Sequence, residues 1–227
     1  MPRDAAEDCK NMGVTVTFLG HSAVHIDDGD KKIIIDPFLT GNPSASATPD
    51  QLQADMVLLT HDHADHVGDT EHFLKQGATF VGIFELAEHY AGKGYTAEGM
   101  NIGGSIEVDG VTLHMTHALH TCHTGHCVGF IVETKDRQIY HAGDTGLSMD
   151  LRLLKEFFNI DVAFLPIGDR FTMGPESAAR AAEWIGAQRV VPIHYGTWPL
   201  IPGDPKRFAQ LVGDQAAVLK PGESLTI

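Results

Sequence analysis

The sequence predicts a single α/β domain, and three observations carry that expectation. Short apolar or alternating runs of strand length intermix with helix-length segments from Val14 onward. No linker-like stretch divides the chain, and 227 residues with 43% hydrophobic content suffice for one domain with a large buried core. Several strand-like runs end in short polar loops rich in His and Asp, where the rim of a sheet can gather functional side chains.

Residues 1–12 lack apolar periodicity and read as a polar tail, so Met12 is a candidate start and the domain is expected over 13–227. VTVTFL (14–19) alternates as a strand, and KIIID (32–36) and MVLLT (56–60) are apolar runs of strand length. TGNPSASATPD (40–50) is rich in turn formers and reads as a surface loop. A helix is expected near 67–76, a strand at 78–82 and a helix near 84–92. VTLHMT (111–116) alternates, with Val111, Leu113 and Met115 toward a core and His114 on the other face. Strands follow at 127–133 and 138–142, then a helix near 149–158 and a strand at 161–166. The helix expected over 175–186 has Pro175 and Glu176 in its first turn, where both are favoured. A strand at 189–193 and a helix near 204–212 complete the order. There is no short-period repeat.

Composition narrows the function classes. A formal net charge of −14 argues against electrostatic binding of nucleic acid, which needs clustered Lys and Arg. No apolar run approaches the roughly 18 residues of a membrane span. The N-terminus lacks the apolar core of a secretory signal, so a cytoplasmic location is expected. Three cysteines, Cys9, Cys122 and Cys127, fit reduced thiols there. A small-molecule substrate is the expected partner, with homo-oligomerisation left open.

The strongest local signal is LLTHDHADH (58–66). Histidines at i and i+2 of an extended segment project to one side, so His61 and His63 can grip one ion together. Asp65 and His66 follow after a turn and offer a second pair. Four potential ligands in six residues, directly after an apolar strand, are hard to explain as a chance polar turn. Neutral imidazole and carboxylate suit zinc, and also manganese or iron. QIYHAGDTG (138–146) ends a strand with Asp144 between Gly143 and Gly146, and VVPIHYGTW (190–198) ends one with His194.

THDHADH, a later histidine, GDTG and PIHYG together resemble the metallo-β-lactamase superfamily. FLGHSAV, IDPFLTGNP, LPIGDRFTMGPESAA and LKPGESL extend the likeness, from about Val14 to the C-terminus, to a widespread family of metal-dependent hydrolases related to the branch containing L-ascorbate-6-phosphate lactonase. The resemblance implies a four-layer αβ/βα sandwich: two mainly antiparallel sheets face to face, helices outside, and a dinuclear site at one edge. It also implies roles. His61, His63 and one later histidine would hold a first divalent ion, Asp65, His66 and His194 a second, with Asp144 bridging. Asp65 and Asp144 would thereby carry the catalytic centre.

The later histidine comes from LHMTHALHTCHTGHC (113–127), which holds His114, His117, His120, His123 and His126. Related sequences carry Thr-x-Ala-x-His after a strand, which here singles out His120. Cys122, His123, His126 and Cys127 depart from the family pattern; a separate zinc site is one reading, and loop histidines near the substrate with a buried Cys127 is the favoured one. Four further residues carry open alternatives. Asp36 either accepts a hydrogen bond from a ligand histidine or simply turns the chain before Pro37. His21 lies beside the site or is a structural histidine. Arg170 binds an anionic substrate group or pairs with a carboxylate. Tyr195 donates to a developing oxyanion or packs.

The leading expectation is hydrolysis of a lactone or other ester by a hydroxide shared between two ions, zinc first, with Mn2+ or Fe2+ as alternatives. Phosphodiester hydrolysis is the runner-up. Mononuclear iron redox chemistry and a non-catalytic metal scaffold rank below.

Overall fold

The computed structural model describes residues 13–227; the expected tail over 1–12, and Met12 as a start, lie outside the described residues. The strands are β1 (Thr15–Gly20), β2 (Ala23–Asp27), β3 (Lys32–Ile35), β4 (Met56–Leu59), β5 (Thr79–Ile83), β6 (Ala97–Met100), β7 (Ser105–Val108), β8 (Val111–His117), β9 (Val128–Thr134), β10 (Arg137–His141), β11 (Val162–Pro166), β12 (Arg189–Ile193) and β13 (Ser224–Thr226). The helices are α1 (Ala64–Val67), α2 (Thr70–Lys75), α3 (Phe84–Gly92), α4 (Leu151–Phe157), α5 (Pro175–Ile185) and α6 (Pro205–Val212).

One sheet has the order β13-β1-β2-β3-β4-β5-β6 and the other β12-β11-β10-β9-β8-β7. Both are mixed, with antiparallel pairing in one part of each and parallel pairing in the other. Pairing is antiparallel from β13 to β3 and parallel from β3 to β6. In the second sheet it is antiparallel from β7 to β10 and parallel from β10 to β12. The cause is connectivity: parallel neighbours need a crossover, and α1 and α2, α3, α4 and α5 supply them between β4 and β5, β5 and β6, β10 and β11, and β11 and β12.

Period-2 alternation divides the side chains of the second sheet between two cores. Val128, Phe130 and Val132 of β9, and Val162 and Phe164 of β11, join the core between the sheets. Ile131, Ala163 and Leu165 face the opposite way, into a second cluster with Leu154, Ala178, Ala182 and Phe208 from the helices. Strands buried on both faces read as continuous apolar runs, which is why these were legible. Truncating the fully buried Phe164 would cost about 3–5 kcal/mol. In α5, Ala178, Ala181, Ala182 and Ile185 form one buried stripe, and Gly186 ends the helix in the left-handed region at φ 68°. None of the helices among the described residues is long and apolar enough to cross a membrane.

Four strands escaped the sequence reading: β2, β6, β7 and β13. β7 is paired to β8 through Asp109-Gly110, both at positive φ, the geometry of a two-residue hairpin turn; that dipeptide was the available signal. β13 is three residues long and pairs with β1 from the far end of the chain.

The pairing directions bring the C-terminal ends of β1, β3, β4, β8, β10, β11 and β12 to one rim. Backbone contacts stitch the two sheets together there. His194 N–H donates to the His21 carbonyl at 2.7 Å, and Val128 N–H to that of Thr60 at 3.0 Å.

Candidate metal centre

The rim is where the sequence-predicted residues meet. Among the described residues, four of the seven non-glycine residues with positive φ lie in the loops after its strands: His21 (58°), Asp36 (48°), Asp169 (74°) and His194 (54°). Such conformations persist where the surroundings over-determine them. The turn after His66 needs Gly68, at φ 38°, because a Cβ there would stand 2.4 Å from the Pro37 carbonyl oxygen. Gly68 also separates α1 from α2, so the helix expected near 67–76 is α2 alone, beginning at Thr70, while Val67 ends the separate α1.

Among the described residues, three overlapping groups of side chains place candidate ligand atoms within 4.8 Å of one another: His61, His63 and His120; His21, Asp65, His66 and His194; and His61, His66 and Asp144. His61 Nε2 faces His63 Nδ1 at 2.9 Å. Asp144 lies between the groups. Its Oδ2 is 3.0 Å from His194 Nε2 and 3.6 Å from His120 Nε2, and its Oδ1 is 3.5 Å from His66 Nε2. The seven candidate ligands therefore converge.

Beneath them, the fully buried Asp36 carboxylate accepts from Thr60 N–H (2.8 Å), Thr60 Oγ1 (2.7 Å) and His66 Nδ1 (2.7 Å). Thr60 gives its one hydroxyl proton to Asp36, so at 3.0 Å its oxygen accepts from His61 Nδ1. Protons on both Nδ1 atoms leave the Nε2 of neutral His61 bare and facing the site, and would leave that of His66 bare in its neutral form. Asp36 thus resolves in favour of the hydrogen-bond acceptor, and Thr60 is a partner the sequence reading missed.

Residues 15–194 match the family model described as a beta-lactamase superfamily domain, a match that runs from β1 to His194. The chain belongs to the metallo-β-lactamase superfamily. A UPF0173 metal-dependent hydrolase of Thermococcus onnurineus is 47% identical over 225 residues, covering 94% of this chain and 100% of the relative. Another from Geobacillus thermodenitrificans is 46% identical and covers 93% and 99%. Igni18, described as a novel metallo hydrolase from Ignicoccus hospitalis, superposes with a TM-score of 0.90 at 36% identity, covering 94% of this chain and 98% of that one. The protein is a metal-dependent hydrolase of the metallo-β-lactamase fold.

The residues fit the metal that this family implies. His66 Nε2, Asp144 Oδ1 and His194 Nδ1 are buried without a hydrogen-bond partner, a costly arrangement in a protein interior. The 3.5 Å between His66 Nε2 and Asp144 Oδ1 is an ionic contact, too long for a well-formed hydrogen bond. Burial lowers His61 to about 3 and His21 to about 4, so both rings are neutral at neutral pH. Burial opposes ionisation of Asp144, yet His194 and His66 hold it well below the usual carboxylate range. Burial likewise works against protonated His66, but Asp144 and Asp36 outweigh it and raise that ring well above its ordinary value. A cation here would take over the charge balance that the His66 proton provides.

A metallo-β-lactamase-fold cavity of about 330 Å³ opens over this cluster. His63, Asp65, His120, Asp144 and His194 form its base, and Phe171, Trp198, Leu200 and Ile201 its wall. His21 sits behind Asp65, with Nε2 3.2 Å from its carboxylate and Nδ1 2.8 Å from Thr197 Oγ1, and is buried among His194, His66, Trp198 and Phe38. The other predicted residues stand further out. Arg170 is exposed with its guanidinium over the Phe171 ring at 5.5 Å, and Tyr195 packs against the outer helical cluster. The His123 ring is exposed, 5.7 Å from that of His63, while its backbone N–H donates to Asp62; His126 is exposed.

Proposed function

We propose that the protein hydrolyses a lactone or other ester at a pair of divalent ions, zinc first by the chemistry of five imidazoles and two carboxylates. His61, His63 and His120 would hold one ion, Asp65, His66 and His194 the other, and Asp144 would span both. Two such ions supply an activated water as nucleophile and neutralise charge developing on the substrate oxygen. The chain's own groups supply the order. Asp36 and Thr60 hold the Nδ1 protons of His66 and His61, so that His61 presents a bare Nε2 and His66 would do so on yielding its second proton to an ion. Asp65 combines a place in the cavity base with a bond to His21, which orients its carboxylate. In the reaction, water oxygen bonds to the acyl carbon, the acyl–oxygen bond breaks, and the proton from water leaves with the alcohol oxygen.

The observation that carries this reading is the Asp144 carboxylate, buried with one oxygen toward His66 and the other toward His194 and His120. The test is an assay of purified protein against lactones, esters and phosphodiesters, with and without chelator, beside elemental analysis. Chelator-sensitive ester or lactone hydrolysis with about two ions per chain is expected. Ester hydrolysis that survives complete removal of metal would overturn it.

A further inference from the structure

We infer that the group held against the cavity wall is uncharged and apolar, so that the substrate is a neutral acyl or aryl ester or lactone and not a phosphorylated or carboxylated one. This rests on the ester-hydrolase reading and narrows its substrate class. Phe171 and Leu200 are 52% and 53% exposed and Trp198 37%. Together with buried Ile201 they gather large apolar side chains beside a polar catalytic cluster, in the way ligand sites do.

Charge points the same way. Among the described residues neither Lys nor Arg lines the cavity, whose lining includes the carboxylates Asp65 and Asp144. Arg170, the cation adjacent in sequence, lies over the Phe171 ring. An anionic substituent against this wall would meet apolar surface with no cation in the lining to pair with, in a chain of net charge −14.

The wall is also preorganised. The loop after β11 is braced by Met173 N–H to the Thr145 carbonyl and Asp169 N–H to that of Met173, each at 2.9 Å. The loop after β12 is closed by Gly196 N–H to the Ile201 carbonyl at 2.7 Å, and the Trp198 ring rests on His21 and Phe38. A volume of about 330 Å³ is at the small end for ligand sites, which run from roughly 300 to 1,000 Å³. It suits a medium acyl or aryl group.

The test uses metal-loaded protein and p-nitrophenyl esters of acetate, butanoate and hexanoate, with the p-nitrophenyl hemi-ester of succinate as an anionic counterpart of butanoate. kcat/KM should rise by about three- to fourfold per methylene, and the succinate ester should fall at least about tenfold below butanoate. Trp198→Ala should lower the hexanoate-to-acetate ratio, and Leu200→Lys should raise succinate relative to butanoate. A flat chain-length series, or preference for succinate, overturns the inference while leaving ester hydrolysis intact. Failure to cleave any of the esters or lactones counts against the ester-hydrolase reading, and a binding measurement then decides the apolar wall separately. With Trp184→Phe, Trp198 is the remaining tryptophan of the two. Its fluorescence should respond saturably to hexanamide and far more weakly to succinamate; no response to hexanamide, or a stronger one to succinamate, overturns the inference.

Discussion

Two histidine-rich segments, 60–66 and 113–127, differ sharply in what their histidines do. In the first, His61, His63 and His66 all reach the candidate metal centre, with Asp65 beside them. In the second, His120 alone among five joins it. His114 is in the middle of β8, with Nε2 3.6 Å from Glu133 and its ring against Phe158. His117, at the end of β8, pairs with Asp150 at 3.1 Å. His123 and His126 are exposed. Density of ligand-type residues is therefore a poor guide. What distinguishes the first segment is its start at the C-terminal end of a central strand, over a buried carboxylate that sets ring tautomers. The second crosses a strand, a turn and a loop, so its three-residue spacing scatters the rings over different surroundings.

The largest expected effect is at the residue that joins both groups. Asp144→Ala should lower hydrolysis by at least about a thousandfold with loss of bound metal, whereas His114→Ala should stay within about twofold of wild type. Equal losses in two folded variants would erase the contrast between the segments.

The next effect tests the buried support under the first segment. Asp36→Asn and Thr60→Val should each weaken metal binding by about 10- to 100-fold, measured by competition with a chromogenic chelator. Unchanged affinity would mean that strand-end placement suffices without the tautomer control.

Acid stability of the chelated protein sharpens the same point. Folded His61 and His21 remain neutral down to about 3 and about 4, while in the unfolded chain both protonate near 6.5. Their contribution is full above 6.5 and is lost as pH falls, by about 2 kcal/mol per ring at pH 5. His66, raised in the folded state, opposes this only near pH 6.5, where the unfolded ring is half protonated, by a few tenths of a kcal/mol. Denaturant melts at pH 6.5 and pH 5 check this, and a flat profile would mean that water reaches the rings.

The smallest effects belong to the far end of the second segment. His123→Ala and His126→Ala should keep full metal content and shift KM by no more than about threefold. A fall in bound metal shared with Cys122→Ser or Cys127→Ser would establish a separate Cys/His site.

The legibility of the site follows from the same geometry. Ligand-type residues directly after apolar strands could be read because a strand end fixes both position and direction. Strands buried on both faces, such as β9 and β11, could be read from unbroken apolarity. Thr60 could not, since its role depends on Asp36, which is 24 residues away in sequence. The burial of His21 behind Asp65 depends on Thr197 and Trp198, contributed from the far end of the chain. The packing of Tyr195 among the helices of the outer cluster had no local signal either.

Metal content per chain, measured on unsupplemented protein for wild type, His120→Ala and His117→Ala, tests the convergence of the two segments most directly. The expected result is about two ions in wild type and in His117→Ala, and a clear loss from the first position in His120→Ala. Unchanged metal in folded His120→Ala would contradict a centre built from both segments.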